Sequence, residues 1–221
     1  MARQRAHVSW IDQFVLREDT FSPFRQVIDA AHQLAAVSDE RTGLTRSAYE
    51  AVGGVRKQAT ALAELSSSLE SEIKVLARRA DDALAAGDAA ASARVLTACF
   101  SGTVAATAHL VDTCHELLGL AETLLVIRRT KSRIELIAAV EAIRGAASIA
   151  HLTVLANLPR ITDAGLYDQL ATRRESLDAT LALANRLSAA MRSDTLHGPV
   201  MPSQSQRTPQ FNWNIPRLPS M

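Results

Sequence analysis

The stretch RIELIAAVEAIRGAASIAHLTVLANLPRITD, residues 133–163, decides the fold of this chain. Between Gly145 and Leu158 it carries no formally charged residue when His151 is neutral, and small and branched aliphatic residues dominate it. A helix that is apolar on nearly every side belongs inside a protein, with other helices around it. Fourteen helical residues span about 21 Å, less than the roughly 30 Å of a membrane core, and Pro159 ends the helix. The stretch therefore predicts the buried central helix of a soluble bundle.

Apolar residues recur with helical spacing on both sides of this stretch. The pattern predicts helices over residues 22–37, 45–86, 89–127 and 164–192. Asp88 and Asp163 stand where side-chain caps begin two of these helices. We therefore expect an all-α fold, an up-and-down bundle of about five or six long helices. Residues 1–193 are predicted to form one domain, and residues 194–221, which contain five prolines, an extended or disordered tail.

The composition excludes several classes of partner and site. A net charge of +1 gives no general attraction to nucleic acid. The N-terminus MARQRAHVSW lacks an apolar core, so neither secretion nor membrane insertion is indicated. Cys99 and Cys114 fall in one helical pattern and read as small buried hydrophobes in a reducing compartment. We expect a cytoplasmic protein that binds neither nucleic acid nor a membrane.

Polar residues on the central helix are the first candidates for chemistry. Glu141, Arg144, Ser148 and His151 are spaced i, i+3, i+7 and i+10, so they form one polar stripe. Desolvation in an apolar bundle would raise the pKa of a carboxylate there, which suits a proton donor or acceptor near neutral pH. The alternative is that Glu141 and Arg144 form an internal ion pair and that His151 is a hydrogen-bonded core histidine.

Three further features have both a functional and a structural interpretation. His109, Asp112 and Glu116, with His115 beside them, resemble a metal cluster, but they share one helix face opposite an apolar stripe. A solvated polar face explains them, and we expect no metal site. The basic residues of the turn 128–133 are suited to a polyanionic ligand or to a solvated loop. Asp163 is either a ligand contact or a helix cap.

The C-terminal half of the chain resembles the cyclodeaminase/cyclohydrolase family. The resemblance rests on a helix that begins near Glu135, on the segment ANLPRITDAGLYDQL at residues 156–170, and on one long helix after it. Glu135 falls where the family has Asp, whereas Asn157, Leu158 and Asp163 fall on its Asn-Leu and Asp. Weaker matches are Leu44-Thr45-Arg46 with Tyr49, and the acidic pair Asp81-Asp82. The resemblance covers residues 44–193.

This resemblance implies a site as well as a fold. It makes Glu135 and Asn157 catalytic candidates and Arg46, Tyr49 and Asp163 candidate substrate contacts. The polar stripe of the central helix adds His151 to the catalytic candidates and Arg144 to the substrate contacts. No cofactor is implied, but a tetrahydrofolate derivative is a possible substrate. The chain departs from the family at residues 20–26, TFSPFRQ, where the family has a glycine-rich turn. Glycines allow a ligand to approach the backbone closely, so these side chains predict weak folate binding or none.

Three functions follow as alternatives. The first is a divergent cyclodeaminase-like enzyme that opens or closes a C–N ring in a small metabolite by acid–base chemistry. The second is a non-catalytic dimeric helical scaffold or small-molecule-binding protein. The third is an unrelated adaptor whose tail, PRLPSM, docks on a partner. Because a bundle with Ala-rich surfaces leaves apolar stripes to cover, we expect a homodimer that contacts its partner through helix faces.

Overall fold

The computed structural model describes residues 21–38, 44–86, 88–127, 133–172 and 174–197, and within them every regular element is a helix. This confirms the all-α bundle. Residues 1–20 and 39–43, the basic residues 128–132 and the tail residues 198–221 lie outside the described residues. The α-helices are α1 Ser22–Val37, α2 Arg46–Ala85, α3 Ala89–Ile127, α4 Arg133–Asn157, α5 Ala164–Thr172 and α6 Arg174–His197, and a 3₁₀ turn spans Leu158–Arg160.

Side-chain caps set the start of three helices. Thr45, Asp88 and Asp163 each accept a hydrogen bond from the backbone N–H three residues further on, at 3.4, 3.1 and 3.1 Å. These bonds satisfy donors that have no partner inside the helix. The caps predicted at both aspartates are therefore confirmed, and α1, α2 and α3 begin and end within one residue of the predicted bounds.

One large core joins five of the helices. α2 packs on α3, α3 packs on α4, and α1 lies against both α2 and α4, while α6 covers the junction of α3 and α4. The largest side chains with under 2% exposure include Phe24, Leu34, Leu118 and Ile143, and many alanines fill the space between them. Small side chains let the helix axes approach closely, so a chain with few aromatic residues still forms a dense interior.

α5 and α6 lie in the segment that the sequence pattern predicted as one helix, and the residues described on either side of position 173 pack on two different core clusters. α5 contributes Leu170 to a second, smaller core cluster that also contains Cys99, Val154 and Ile161. α6 instead contributes Leu187 and its neighbours to the large core. α6 also continues to His197, beyond the predicted domain boundary at residue 193.

Among the described residues, three helices pack against the central helix α4 and part of its surface is exposed, whereas the sequence predicted a helix surrounded by others. α1, α3 and α6 pack against it, but Ile134, Ile149 and Leu152 are 76%, 42% and 65% exposed. By length and composition alone, Arg133–Arg160 is apolar enough to cross a membrane. A core helix of a soluble bundle passes the same test, and the inward sides of α4 lie in the large core.

Candidate functional site

Glu141 is held between two arginines. Arg144 Nε donates to its Oε2 at 2.8 Å, and Arg192 of α6 donates to its Oε1. Desolvation raises the pKa of Glu141, but the hydrogen bonds from Arg192 and Arg144 outweigh it, so that pKa lies below its ordinary value. This confirms the ion-pair alternative for Glu141 and Arg144. The expectation of a raised carboxylate pKa on this stripe is wrong for Glu141, because two cations face it.

Glu135 lies exposed in the first turn of α4. Its carboxylate therefore does not reach into the apolar bundle. Asn157 stands 22 residues further along the same helix, roughly 33 Å away along the axis. Within one chain, Glu135 and Asn157 cannot contact the same small molecule.

His151 and Asn157 are the two predicted site residues that are buried, with exposures of 9% and 0%. Asn157 Nδ2 donates to the backbone oxygen of Thr153 at 2.7 Å, whereas its Oδ1 has no partner among the described residues. His151 Nδ1 likewise has no partner there, so its interpretation as a hydrogen-bonded core histidine lacks a bond at that atom. A buried polar atom without a partner costs about 1–3 kcal/mol, and ligand sites are places where such atoms occur.

Arg46 and Tyr49 lie together on the first turn of α2, away from both buried residues. Arg46 Nε donates to Glu50 at 3.3 Å, and its side chain is 94% exposed. Tyr49 is 47% exposed. An exposed ion pair between residues one helical turn apart contributes little to stability. Arg46 is therefore accessible to a ligand, but it lies on α2 and not on α4.

Asp163 acts as the cap of α5, as the structural alternative predicted. Its Oδ1 accepts from the backbone N–H of Leu166 at 3.1 Å, and the residue is exposed. One of its carboxylate oxygens is thus already engaged with the helix terminus. The capping role accounts for this residue without a ligand.

Large side chains occupy residues 21–26, the segment of this chain that was compared with the glycine-rich turn of the cyclodeaminase/cyclohydrolase family. Phe24 is 1% exposed and lies in the large core. Gln26 donates to Ser22 Oγ at 3.2 Å, and its Oε1 would be 3.7 Å from a Cβ built on Gly145. A backbone that is covered in this way offers less access to a ligand than a glycine turn does.

A charged cluster beside the start of α1 escaped the sequence reasoning. Glu70 of α2 is 8% exposed and pairs with Lys74 at 2.7 Å and with Arg25 of α1 at 3.4 Å. The Lys74 ammonium lies 5.4 Å from the centre of the Phe21 ring. The i, i+4 spacing of Glu70 and Lys74 was visible in the sequence, but the burial of Glu70 depends on α1. The cluster ties α1 to α2.

A polar contact between α3 and α6 was also missed. His115 Nδ1 lies 3.1 Å from Thr180 Oγ1, a buried hydroxyl that donates to the Ser176 backbone oxygen. The nearby His109 Nδ1 is 3.8 Å from Asp112 Oδ2 on a largely exposed face. Among the residues that the structure describes, no group of three His, Cys, Asp or Glu side chains is arranged to hold a metal ion.

A shallow surface depression of about 500 Å³ lies on the outer face of α2. Its described lining consists of Gly53, Arg56, Lys57, Thr60, Ala61 and Glu64. None of these is a predicted site residue, and all come from one helix, so the depression is not the site that the resemblance implies.

The two thiols are buried, as the sequence predicted. Cys99 and Cys114 are 3% and 0% exposed and form no disulfide. Burial raises the pKa of both thiols above its ordinary value. A thiol that resists ionisation is a poor nucleophile, so these residues serve as core side chains.

No family model and no curated protein matches this sequence. Among solved structures, the chain is similar to formiminotetrahydrofolate cyclodeaminase from Thermotoga maritima, with a TM-score of 0.69 and 10% sequence identity. The match covers 87% of this chain and 98% of that one. The chain therefore has a cyclodeaminase-like helical fold.

Proposed function

We propose that the chain is a divergent enzyme of the cyclodeaminase fold that opens or closes a C–N bond in a small molecule by acid–base chemistry. The fold likeness supports the reaction class, since the similar protein is a formiminotetrahydrofolate cyclodeaminase. The observation that carries the proposal is a pair of buried polar atoms, His151 Nδ1 and Asn157 Oδ1, which lack partners among the described residues.

His151 is the group best placed to transfer a proton. Histidine is the side chain that most often serves as a general acid or base, and His151 shares a helix face with Ser148, three residues back, and Arg144, seven residues back. Arg144 and Arg192 stand on this side of α4, where their guanidinium groups can hold a carboxylate of a ligand. The proposed site on this face is therefore the side of α4 toward α6.

Asn157 has a separate role. Six helical residues place its side chain about 120° around α4 from that of His151 and roughly 9 Å along the axis. Its Oδ1 can accept from an N–H of a ligand that reaches the end of α4, as an amide oxygen does. We assign Asn157 to positioning and His151 to proton transfer.

The test is turnover and binding of tetrahydrofolate derivatives with matched variants. Ammonia release from formiminotetrahydrofolate is followed for the wild type, for His151→Gln and for His109→Gln, an exposed control. Catalysis by His151 predicts a loss of kcat of about 100-fold or more in the first variant and none in the control. If the wild type shows turnover, equal turnover in all three would refute the role of His151.

A binding measurement distinguishes a chain that does not recognise folates from one that binds them without catalysing a reaction. Calorimetric titration with methenyl- and formiminotetrahydrofolate is expected to show weak binding or none, because Phe24 and its neighbours replace the glycines. Binding at micromolar concentration would show that these side chains leave the site open. No binding at millimolar ligand, together with no turnover, would exclude folates as substrates. The remaining alternatives would be a different small substrate or the second candidate function.

The second candidate is a non-catalytic dimeric helical scaffold or ligand-binding protein. It is favoured by the structural partners of the predicted charged residues: Arg46 pairs with Glu50, Arg144 pairs with Glu141, and Asp163 caps α5. A scaffold predicts that His151→Gln changes stability but no reaction rate.

A further inference from the structure

Asn157, at the end of α4, cannot be reached by a ligand in the arrangement that the structure shows. The residue is fully buried, at 0% exposure, and its Oδ1 has no partner among the described residues. Val154, three residues earlier, and Leu158, the next residue, pack in the small core cluster that also holds Cys99. A ligand therefore meets the Asn157 oxygen only when part of this cluster opens.

The segment after Asn157 is held to the bundle by few side chains. It comprises the 3₁₀ turn and α5, residues 158–172. Between positions 158 and 171 two residues are buried, Ile161 and Leu170, at 9% and 3% exposure. α5 meets α3 and α6 through few residues, whereas the longer helices pack along much of their length. The segment is thus the part of the small core cluster that separates most easily.

Hydrogen bonds inside the segment hold it together as a unit. Asp163 Oδ1 accepts from the Leu166 N–H at 3.1 Å, and the Tyr167 N–H donates to the Asp163 backbone oxygen at 2.9 Å. Opening leaves these bonds intact and separates the apolar contacts of Ile161 and Leu170. Regions with few buried apolar contacts open locally while the rest of a protein stays folded.

We propose that residues 158–172 form a lid that opens from the small core cluster as a unit, and that the opening exposes a binding site for an uncharged N–H group at Asn157 Oδ1. An amide oxygen accepts such a bond. Val154 and Leu158 are aliphatic, and a charged group beside them would lose its solvation without compensation. The ligand part of the proposal rests on the proposed function, whereas the lid does not.

Two native thiols report on the two core clusters separately. Cys99 lies in the small cluster with Ile161 and Leu170, and Cys114 lies in the large core. Both belong to α3, and their exposures are 3% and 0%. A thiol reagent reaches neither while its cluster is closed. Opening of the lid exposes Cys99 and leaves Cys114 covered.

Thiol labelling of the native full chain tests the lid. Cys99 is expected to react about tenfold faster than Cys114 or more, because local opening is more frequent than global unfolding. Mass spectrometry of the digested chain assigns the label to each cysteine. Equal rates for the two thiols would show that global unfolding exposes both, and would overturn the lid.

Truncation of two buried leucines locates the opening. Leu170→Ala removes apolar contacts that the lid makes only when closed, so it is expected to speed the labelling of Cys99 by about tenfold or more. Leu187→Ala is the matched control, because Leu187 is 4% exposed and lies in the large core. Its contacts persist when the lid is open, so the Cys99 rate should stay at the wild-type value. A Cys99 rate raised equally by both variants would refute the lid.

Replacement of Asn157 by leucine tests whether its oxygen is kept for a ligand. The closed cluster bears the cost of an amide oxygen without a partner, which the open state relieves by hydration. Asn157→Leu is therefore expected to favour the closed lid and to slow the labelling of Cys99 by about tenfold. Faster labelling would show that the bond from Nδ2 to the Thr153 oxygen, at 2.7 Å, stabilises the closed cluster, and would refute the ligand role.

A pair of small probes tests the site separately from the lid. Pyrrolidinone is a neutral ring amide with one N–H donor, and N-methylpyrrolidinone lacks that donor. In nuclear magnetic resonance spectra of the isotope-labelled chain, the side-chain amide signal of Asn157 is identified by its loss in Asn157→Leu. Millimolar pyrrolidinone is expected to shift this signal, and N-methylpyrrolidinone is not. Leu170→Ala should respond at lower concentration, because more of its molecules are open.

The outcomes separate the site, the lid and the proposed function. Equal shifts with both probes, or none with either, would refute the N–H site, while the Cys99 rates still decide the lid. Neither measurement requires turnover, so a failure of the proposed function is seen in the activity assay alone.

Discussion

Replacement of Gly145 by alanine is expected to stabilise the folded chain. The added Cβ makes only an ordinary 3.7 Å contact with Gln26 Oε1, so the gain in helix propensity, about 0.5–1 kcal/mol, is not offset.

Urea denaturation followed by circular dichroism measures the free energy of unfolding of the variant and of the wild type. Gly119→Ala is the matched control, because a Cβ at Gly119 meets nothing within 4 Å, and it should stabilise the chain by a similar amount. A Gly145→Ala chain that is less stable than the wild type would refute the reasoning.

Three further predictions concern the Glu141 ion pairs and two buried side chains of the core. The fold lowers the pKa of Glu141, so its stabilising contribution is full above its unfolded pKa and is lost as the pH falls through its folded pKa. Glu141→Gln should therefore reduce the loss of stability between about pH 5 and pH 3. The difference should be at most about 1 kcal/mol, because Arg192 is exposed. Phe24→Ala, at a side chain that is 1% exposed, should cost about 3–5 kcal/mol in urea denaturation; a loss under 1 kcal/mol would contradict its core position. Cys114, which is 0% exposed, should react with a thiol reagent only on unfolding, and rapid labelling of the native chain would contradict its burial.

Most of the fold was predictable because the helices carry local signals. Apolar spacing and the caps at Asp88 and Asp163 mark where α3 and α5 begin, and such signals act over a few residues. Which core cluster α5 and α6 each contact was not predictable from the local pattern. That choice is made by helices distant in sequence.

The candidate site was predictable only in part. Glu141 and Arg144 were identified as a possible pair from their spacing, but Arg192, which completes the cluster, lies on another helix. The sequence also grouped Glu135 with Asn157, although one is exposed and the other fully buried. Helical spacing tells which residues share a face of α4 and says nothing of where along the helix a neighbour begins or ends.

The sequence by itself determined that the chain is helical, where its long helices begin and end, and that α4 is central. Only the tertiary structure decided which side of α4 is buried. In an amphipathic helix the polar face marks the solvent side, but α4 is apolar nearly all round, so its composition allows any side to face the core. The positions of α1, α3 and α6 select the buried sides.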